Sequence, residues 1–435
     1  MSNEFLLADQ SNRDRPIRIL RRVKGFILRN SIEYGAYCIG CRRKEKKTMN
    51  KKEIAEIKKQ FNPERCSITR ICGCYVDGEK NKKTKLKEAF LSLPEEEMFK
   101  YFDIFKKTLS GKLGKNLMNL EFPLAQERED GTQEFFMRLR KSKLKDKVIL
   151  DEFYDKIIEN YDYPKNYYII LIHAVYDIPG KTSDKLEIED ASEEIYEHIL
   201  CSVCPVNLSK TGLSYDSKEN AIKDRIRDWV VGNPEVGFLF PAFNDRSTDI
   251  HATLYYNKSI RNIHEDFVKN VLGTPVPLTP EDENDRFLGL LKDIPEESRT
   301  FDFAGNLTET FEDIKEQTKD SPEITALSCT QMKRIFINCG MPEDAVADFD
   351  EYWHRSLGDA SLTLSNIHST KTSKITTDDA AICIPHDRIE LIGLQKVQGV
   401  PVLVIPVNGK LEVNGIMVDS REISTQCTEE EAGKE

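Results

Sequence analysis

An α+β fold is predicted: a mixed or antiparallel sheet core with flanking helices, then a helical segment, then a C-terminal β-hairpin region. Three observations predict it. Residues 167–177 (YYIILIHAVYD) are apolar at both parities, as in a strand covered on both faces. Residues 236–243 and 249–256 are apolar runs flanking Asn244-Asp245, which reads as an antiparallel pair joined by a turn. Residues 94–109, 328–338 and 343–355 repeat apolar side chains every three or four positions, the helical period.

In chain order, 49–60 places Ile54 and Ile57 three apart in a short amphipathic helix. Residues 66–76 are β-branched and end at Asp77-Gly78, a hairpin signal, with 84–93 returning as partner strand or entering a helix. Pro94 and three glutamates open the next helix, because Pro suits a first turn and acids suit the positive helix end. Met98, Tyr101, Phe102 and Phe105 share its core face. Residues 111–123 read as a loop with two glycines, 132–161 as one or two helices, and 195–206 as a second buried strand. Residues 221–231 alternate charge with apolar side chains, as a strand or a helix start. Along 249–256, Ile250, Ala252, Leu254 and Tyr256 take one face, and Asp249, His251, Thr253 and Tyr255 the other. Residues 263–355 read as helices, 356–377 as a Ser/Thr-rich linker, and 380–418 as strands 382–384, 388–397, 400–407 and 410–418, with turns at Gln398-Gly399 and Asn408-Gly409.

The 435 residues divide by this reading into a basic arm (1–48), an α+β core domain (49–260), a helical region (261–360), a C-terminal β region (361–418) and an acidic tail (419–435). Twelve Lys/Arg against five Asp/Glu in residues 1–48 give +7, leaving −18 on the rest of a chain whose net charge is −11. Arg42 to Lys47 can be encoded entirely by purines, as a ribosome-binding site is, so Met49 is expected to be the start and 1–48 a translated leader or disordered arm. No apolar run approaches the roughly 18 residues of a membrane span. Eleven cysteines, an odd number, point to reduced thiols and a cytoplasmic location.

Two constellations could carry chemistry. Cys72 and Cys74, with Cys201 and Cys204, could together supply four thiolates to zinc. The competing reading is buried free cysteines, since residues three apart on a strand point to opposite faces. Asp245, Arg246, Asp249 and His251 gather at the 244–251 junction, where a carboxylate beside an imidazole could serve as a general base or hold a metal. Against this stands ordinary turn chemistry for Asn-Asp-Arg-Ser. His173, in apolar company, is expected to be a satisfied core histidine. No phosphate loop, Gly-x-Ser-x-Gly elbow or His-Glu-x-x-His motif occurs.

The segments 64–80, 201–216, 237–256 (GFLFPAFNDRSTDIHATLYY) and 400–416 resemble a bacterial family of clostridial type classed as a domain of unknown function, number four-three-one-seven. The resemblance covers nearly everything after residue 48 and implies no activity. A fainter likeness to the thirty-seven-kilodalton nucleoid-associated class rests on element order, on the FLFPAFNDR-like strand and on Phe267–Gly273, and implies nucleoid association, although the −18 body departs from simple DNA binding. Phosphate contacts need a local Lys/Arg excess, which only 80–87 and 138–147 offer. The functional expectation is a non-enzymatic intracellular binding or scaffold protein, with nucleoid association as one version, a protein or nucleic-acid partner, no membrane and no cofactor. The alternative is a hydrolase-like, metal-assisted enzyme at the Asn244–His251 junction.

Overall fold

The computed structural model describes residues 48–181, 187–188, 194–368, 372–407, 411–413 and 416–418. The chain divides after Thr48 into two compact units. The expectations for residues 1–47 and 419–435 and for the turn at Asn408-Gly409 lie outside the described residues, and the unit that begins at Met49 is described below.

Its first part is built on strands β1 (Ile68–Val76), β2 (Lys82–Ala89), β3 (Leu117–Glu121), β4 (Tyr167–Ile178), β5 (Glu194–Leu208), β6 (Leu213–Asp216), β7 (Ala221–Asp224), β8 (Trp229–Val231), β9 (Val236–Phe240), β10 (Ala242–Asn244), β11 (Ser247–Asp249) and β12 (Ala252–Asn257). The main sheet runs β2-β1-β4-β5-β9-β12-β3, and β8 prolongs it beside β5. Its pairings are antiparallel. The two-residue side-chain period explains why β4 and β5 are apolar at both parities. Tyr167, Ile169 and Leu171, with Ile199, Cys201 and Val203, fill one core, while Ile170, Ile172, Leu200 and Cys204 fill the other.

Helices α1 (Lys51–Lys58) and α2 (Glu95–Thr108) cover the second face, and α3 (Thr132–Lys141), α4 (Lys147–Asn160) and a π-helical turn (Phe267–Leu272) cover the first. The capping box of Asn50 and Glu53 starts α1. Gly73 sits in mid-strand because the Tyr168 ring crosses it: a Cβ there would overlap the phenol oxygen.

A third core is helical. It is formed by α5 (Pro280–Asp293), α6 (Phe301–Gln317), α7 (Cys329–Asn338), α8 (Phe349–Leu357) and α9 (Leu364–Ile367), with β13 (Ala326–Leu327) pairing β14 (Leu362–Thr363). Hairpins follow: β15 (Thr372–Thr376) with β16 (Ala381–Pro385), β17 (Gly393–Val397) with β18 (Val400–Val404), and β19 (Leu411–Val413) with β20 (Ile416–Val418).

The α+β class and the C-terminal hairpins match the expectation. Three local readings are corrected. The 111–123 loop contains β3, a strand of the main sheet, whose Leu117 and Leu120 are buried. The 356–377 linker contains β14 and α9, because Leu362, Leu364 and Ile367 complete the third core. The 388–397 strand begins as a 3-10 turn (His386–Leu391). Phe267, Val268, Val271 and Leu272, from the segment that follows β12, belong to the sheet's first core.

Candidate functional site

The 244–251 junction is a tight hairpin followed by a turn. Asp245 and Arg246 both have positive φ, +51° and +56°, the two-residue type I′ geometry that joins β10 to β11. A long side chain is rare in this conformation, and Arg246 is held there by others. Its Nε and Nη2 donate to the Glu56 carboxylate of α1 at 3.1 and 2.8 Å, and Nη2 also donates to the Pro179 carbonyl at 3.2 Å. Burial pulls its pKa down, but the Glu56 carboxylate outweighs this and raises it. Asn244 donates to Asp249 Oδ2 at 2.6 Å, and Asp249 Oδ1 accepts the His251 backbone N–H at 3.0 Å. The exposed His251 ring turns to Glu127, with Nδ1 2.7 Å from Oε1. Asp245, Arg246, Asp249 and His251 are thus neighbours along one hairpin and the turn after it. Their described contacts fasten the turn to α1 and to the Leu124–Glu127 turn.

The cysteines divide between the sheet's faces. Cys72, Cys74 and Cys201 lie in the first core and Cys204 in the second, so their sulfurs do not converge on one ion. Burial pushes the Cys72 and Cys74 thiols up to about 11, and raises Cys201 and Cys204 further, which disfavours the thiolate a metal needs. His173 is fully buried, with Thr69 Oγ1 2.6 Å from Nδ1 and Glu197 Oε1 2.8 Å from Nε2. This is the satisfied core histidine expected, although the sequence did not reveal its partners on β1 and β5.

Several side chains of the basic runs are also engaged. Lys82 pairs with Asp155, Lys83 with Asp77 and Lys85 with Asp151; Lys87 donates to the Lys145 carbonyl. Arg138 pairs with Glu134, and Arg140 donates to the Glu197 carbonyl.

Two features were not singled out from the sequence. The first is an apolar ribbon. In the β6–β7 hairpin Tyr215 pairs opposite Ile222, and Leu213 shares their face. These side chains are 61, 64 and 76 % exposed. Trp229, 56 % exposed, follows on β8 and lines a groove of about 650 Å³ with Tyr101, Ile104 and Tyr168. The alternation in 221–231 was the available signal.

The second is a cluster of Glu312 on α6, His368 after α9 and His386 at the 3-10 turn. One ligating atom from each lies within 4.8 Å of the others. His368 Nε2 is 2.8 Å and His386 Nε2 3.8 Å from Glu312 Oε1, and the rings stand 4.6 Å apart. Ser373 Oγ is 2.7 Å from His386 Nδ1. Lys315 Nζ sits 2.8 Å from Glu312 Oε1. Burial pushes the Glu312 carboxyl up, but the Lys315 and His368 hydrogen bonds outweigh it and hold the group below the usual carboxylate range. Burial lowers the His368 pKa despite its bond to Glu312. Glu312 is about one-third exposed, and His368 lines an open groove with Lys115 and Arg261. Two of the chain's seven histidines flanking a Ser/Thr-rich segment were the only hint in the sequence.

The model of the family described as Domain of unknown function (DUF4317) matches residues 49–416, and the chain belongs to this family. No curated protein matches the chain. Among the described residues, no helix is long and apolar enough to cross a membrane.

Proposed function

We propose that this member of the DUF4317 family is an assembly protein, a scaffold whose β6–β8 ribbon docks onto the Trp229 groove of a second copy. The observation that carries this is the uncovered face of Leu213, Tyr215 and Ile222. Asp224, opposite Leu213, shares that face, and the other face carries Ser214, Asp216 and Lys223 with Ala221. A mainly apolar face set against a mainly polar one is the pattern of a strand pair packed on one side. A two-stranded hairpin is marginal without such packing.

The ribbon and the groove lie on the same chain, and both expose apolar side chains. Reciprocal docking about a two-fold axis covers both at once and closes the assembly. Trp229 and the tyrosines of the groove supply the aromatic anchors that dominate such contacts. Protein is placed before nucleic acid as partner, because the lysines of 80–87 named above already meet acids or a carbonyl. The cytoplasm is the proposed compartment, and buried thiols such as Cys72, Cys74, Cys201 and Cys204, joined by no disulfide, support it.

Sedimentation velocity of the full chain over a hundredfold concentration range tests the reading. A dimer is expected, with Tyr215→Asp and Ile222→Asp shifting it to monomer. Trp353 is buried and Trp229 exposed, so a blue shift of tryptophan emission on association reports the groove. A monomer at every concentration, with unchanged emission, overturns the reading. Salt-dependent retention on DNA that survives both substitutions would favour the nucleoid version instead.

A further inference from the structure

We propose that Glu312, His368 and His386 bind a divalent transition-metal ion of the zinc class, and that the ion latches the β15–β16 hairpin onto helix α6. The inference is independent of assembly through the ribbon.

The donor set is two imidazoles and one carboxylate, which suits zinc and its first-row neighbours rather than calcium or magnesium. Ligands bound at ~2.0–2.1 Å in tetrahedral geometry stand ~3.3 Å from one another. The observed 2.8 and 3.8 Å from Glu312 Oε1 to the two Nε2 atoms bracket that separation. Small rotations of the three side chains would therefore meet the requirement.

The surroundings are those of a supported site. A metal-ligating histidine usually engages its second ring nitrogen with a neighbour that fixes the ring. Ser373 Oγ does this at His386 Nδ1, which aims Nε2 at the carboxylate. The Phe311 ring packs against His368, with centroids 5.6 Å apart. Lys315 answers the Glu312 charge in the metal-free chain, and an incoming cation would compete with its ammonium for the same oxygen. The partial exposure of Glu312 leaves the solvent side open for a fourth ligand, as in sites that use three protein ligands.

The latch follows from where the ligands sit. Glu312 belongs to the helical core, whereas His386 ends the β15–β16 hairpin. Among the described residues of that hairpin, only Ser373 is buried, so apolar packing holds it weakly. A bond from His386 to an ion shared with α6 would strengthen its attachment.

The experiment uses the full chain, stripped with a chelator and titrated with Zn²⁺ against a chromophoric competitor, and with Co²⁺ for its visible spectrum. One ion per chain is expected, with nitrogen and oxygen ligation and no thiolate-to-cobalt charge-transfer band. His368→Ala and His386→Ala should each weaken binding about 100-fold, and Ser373→Ala about 10-fold. Lys315→Met should tighten it. Zn²⁺ should slow proteolysis of 372–391 in the parent chain and leave it unchanged in His386→Ala. Glu312→Gln, nearly isosteric and checked for folding by circular dichroism, should also lose affinity. Absence of stoichiometric uptake overturns the proposal, as does Zn²⁺ binding that survives Glu312→Gln and both histidine substitutions together. A thiolate band from Co²⁺ would likewise overturn it, by placing the ion on cysteine.

Discussion

The 244–251 junction and the Glu312 cluster each bring carboxylate, imidazole and a basic side chain together, yet they are built differently. At the junction the polar residues are neighbours in sequence, and the described bonds of Arg246, Asn244 and Asp249 fasten a turn. In the cluster the ligands come from α6, the end of α9 and a 3-10 turn, 56 and 18 residues apart. A local run of turn-forming residues needs nothing beyond its own backbone and one docked helix. Distant titratable groups brought within 4.8 Å of one another require the tertiary fold to hold them there. Their convergence therefore carries the stronger functional signal.

The comparison breaks if zinc affinity answers to the wrong region. The largest expected effect is the hundredfold loss of affinity in His368→Ala, with no loss in His251→Ala or Asp249→Ala, measured by the same competition titration. Next in size is Arg246→Ala. It removes the bidentate partner of Glu56 and leaves a half-buried carboxylate, so chemical denaturation should show about 2 kcal/mol of lost stability and unchanged zinc affinity. Equal stability in the variant would mean that the turn does not depend on α1.

A third test concerns His198, which belongs to neither region. It is fully buried and stacked on Tyr196 at 4.5 Å, and Tyr196 in turn donates to the Pro241 carbonyl behind the junction. Burial pushes its pKa down to about 3, against opposition from the Tyr196 backbone. The unfolded chain takes up a proton near pH 6.5, which the folded chain refuses until about pH 3. Stability is therefore full above pH 6.5 and falls by about 1.4 kcal/mol per pH unit below it. Denaturant titrations at pH 7, 6 and 5 should show this slope, reduced by that amount in His198→Gln. An unchanged slope would place the acid sensitivity elsewhere.

The smallest effect is expected at His251 and Glu127. The pair is exposed at the imidazole, so His251→Ala should change stability by less than about 0.5 kcal/mol. A larger loss would show that the junction relies on this contact as well as on α1.

Much of the fold was legible because strand and helix periods are local properties. The doubly apolar runs at 167–177 and 195–206 announced the centre of the sheet, and the Asn244-Asp245 turn announced the β9–β12 pairing. Pro94 and its glutamates marked the start of α2. Short elements were misread where burial came from elsewhere. The five residues of β3 lie at a sheet edge, and α9 is a single helical turn that distant helices cover. The ribbon was visible as alternation, but its lack of a covering layer was not. The Glu312 cluster was hidden because Ser373 and His386 lie in a segment that reads as linker and strand.

By itself the sequence determined the α+β class, the central strands and the separation of Cys201 from Cys204, because a pleated backbone sends residues three apart to opposite faces. It also marked the junction as a turn, since Asn and Asp satisfy their own backbone. The tertiary structure alone decided which histidines meet a carboxylate and which apolar face is left bare. Both depend on distances between elements far apart along the chain, and no local period encodes those distances.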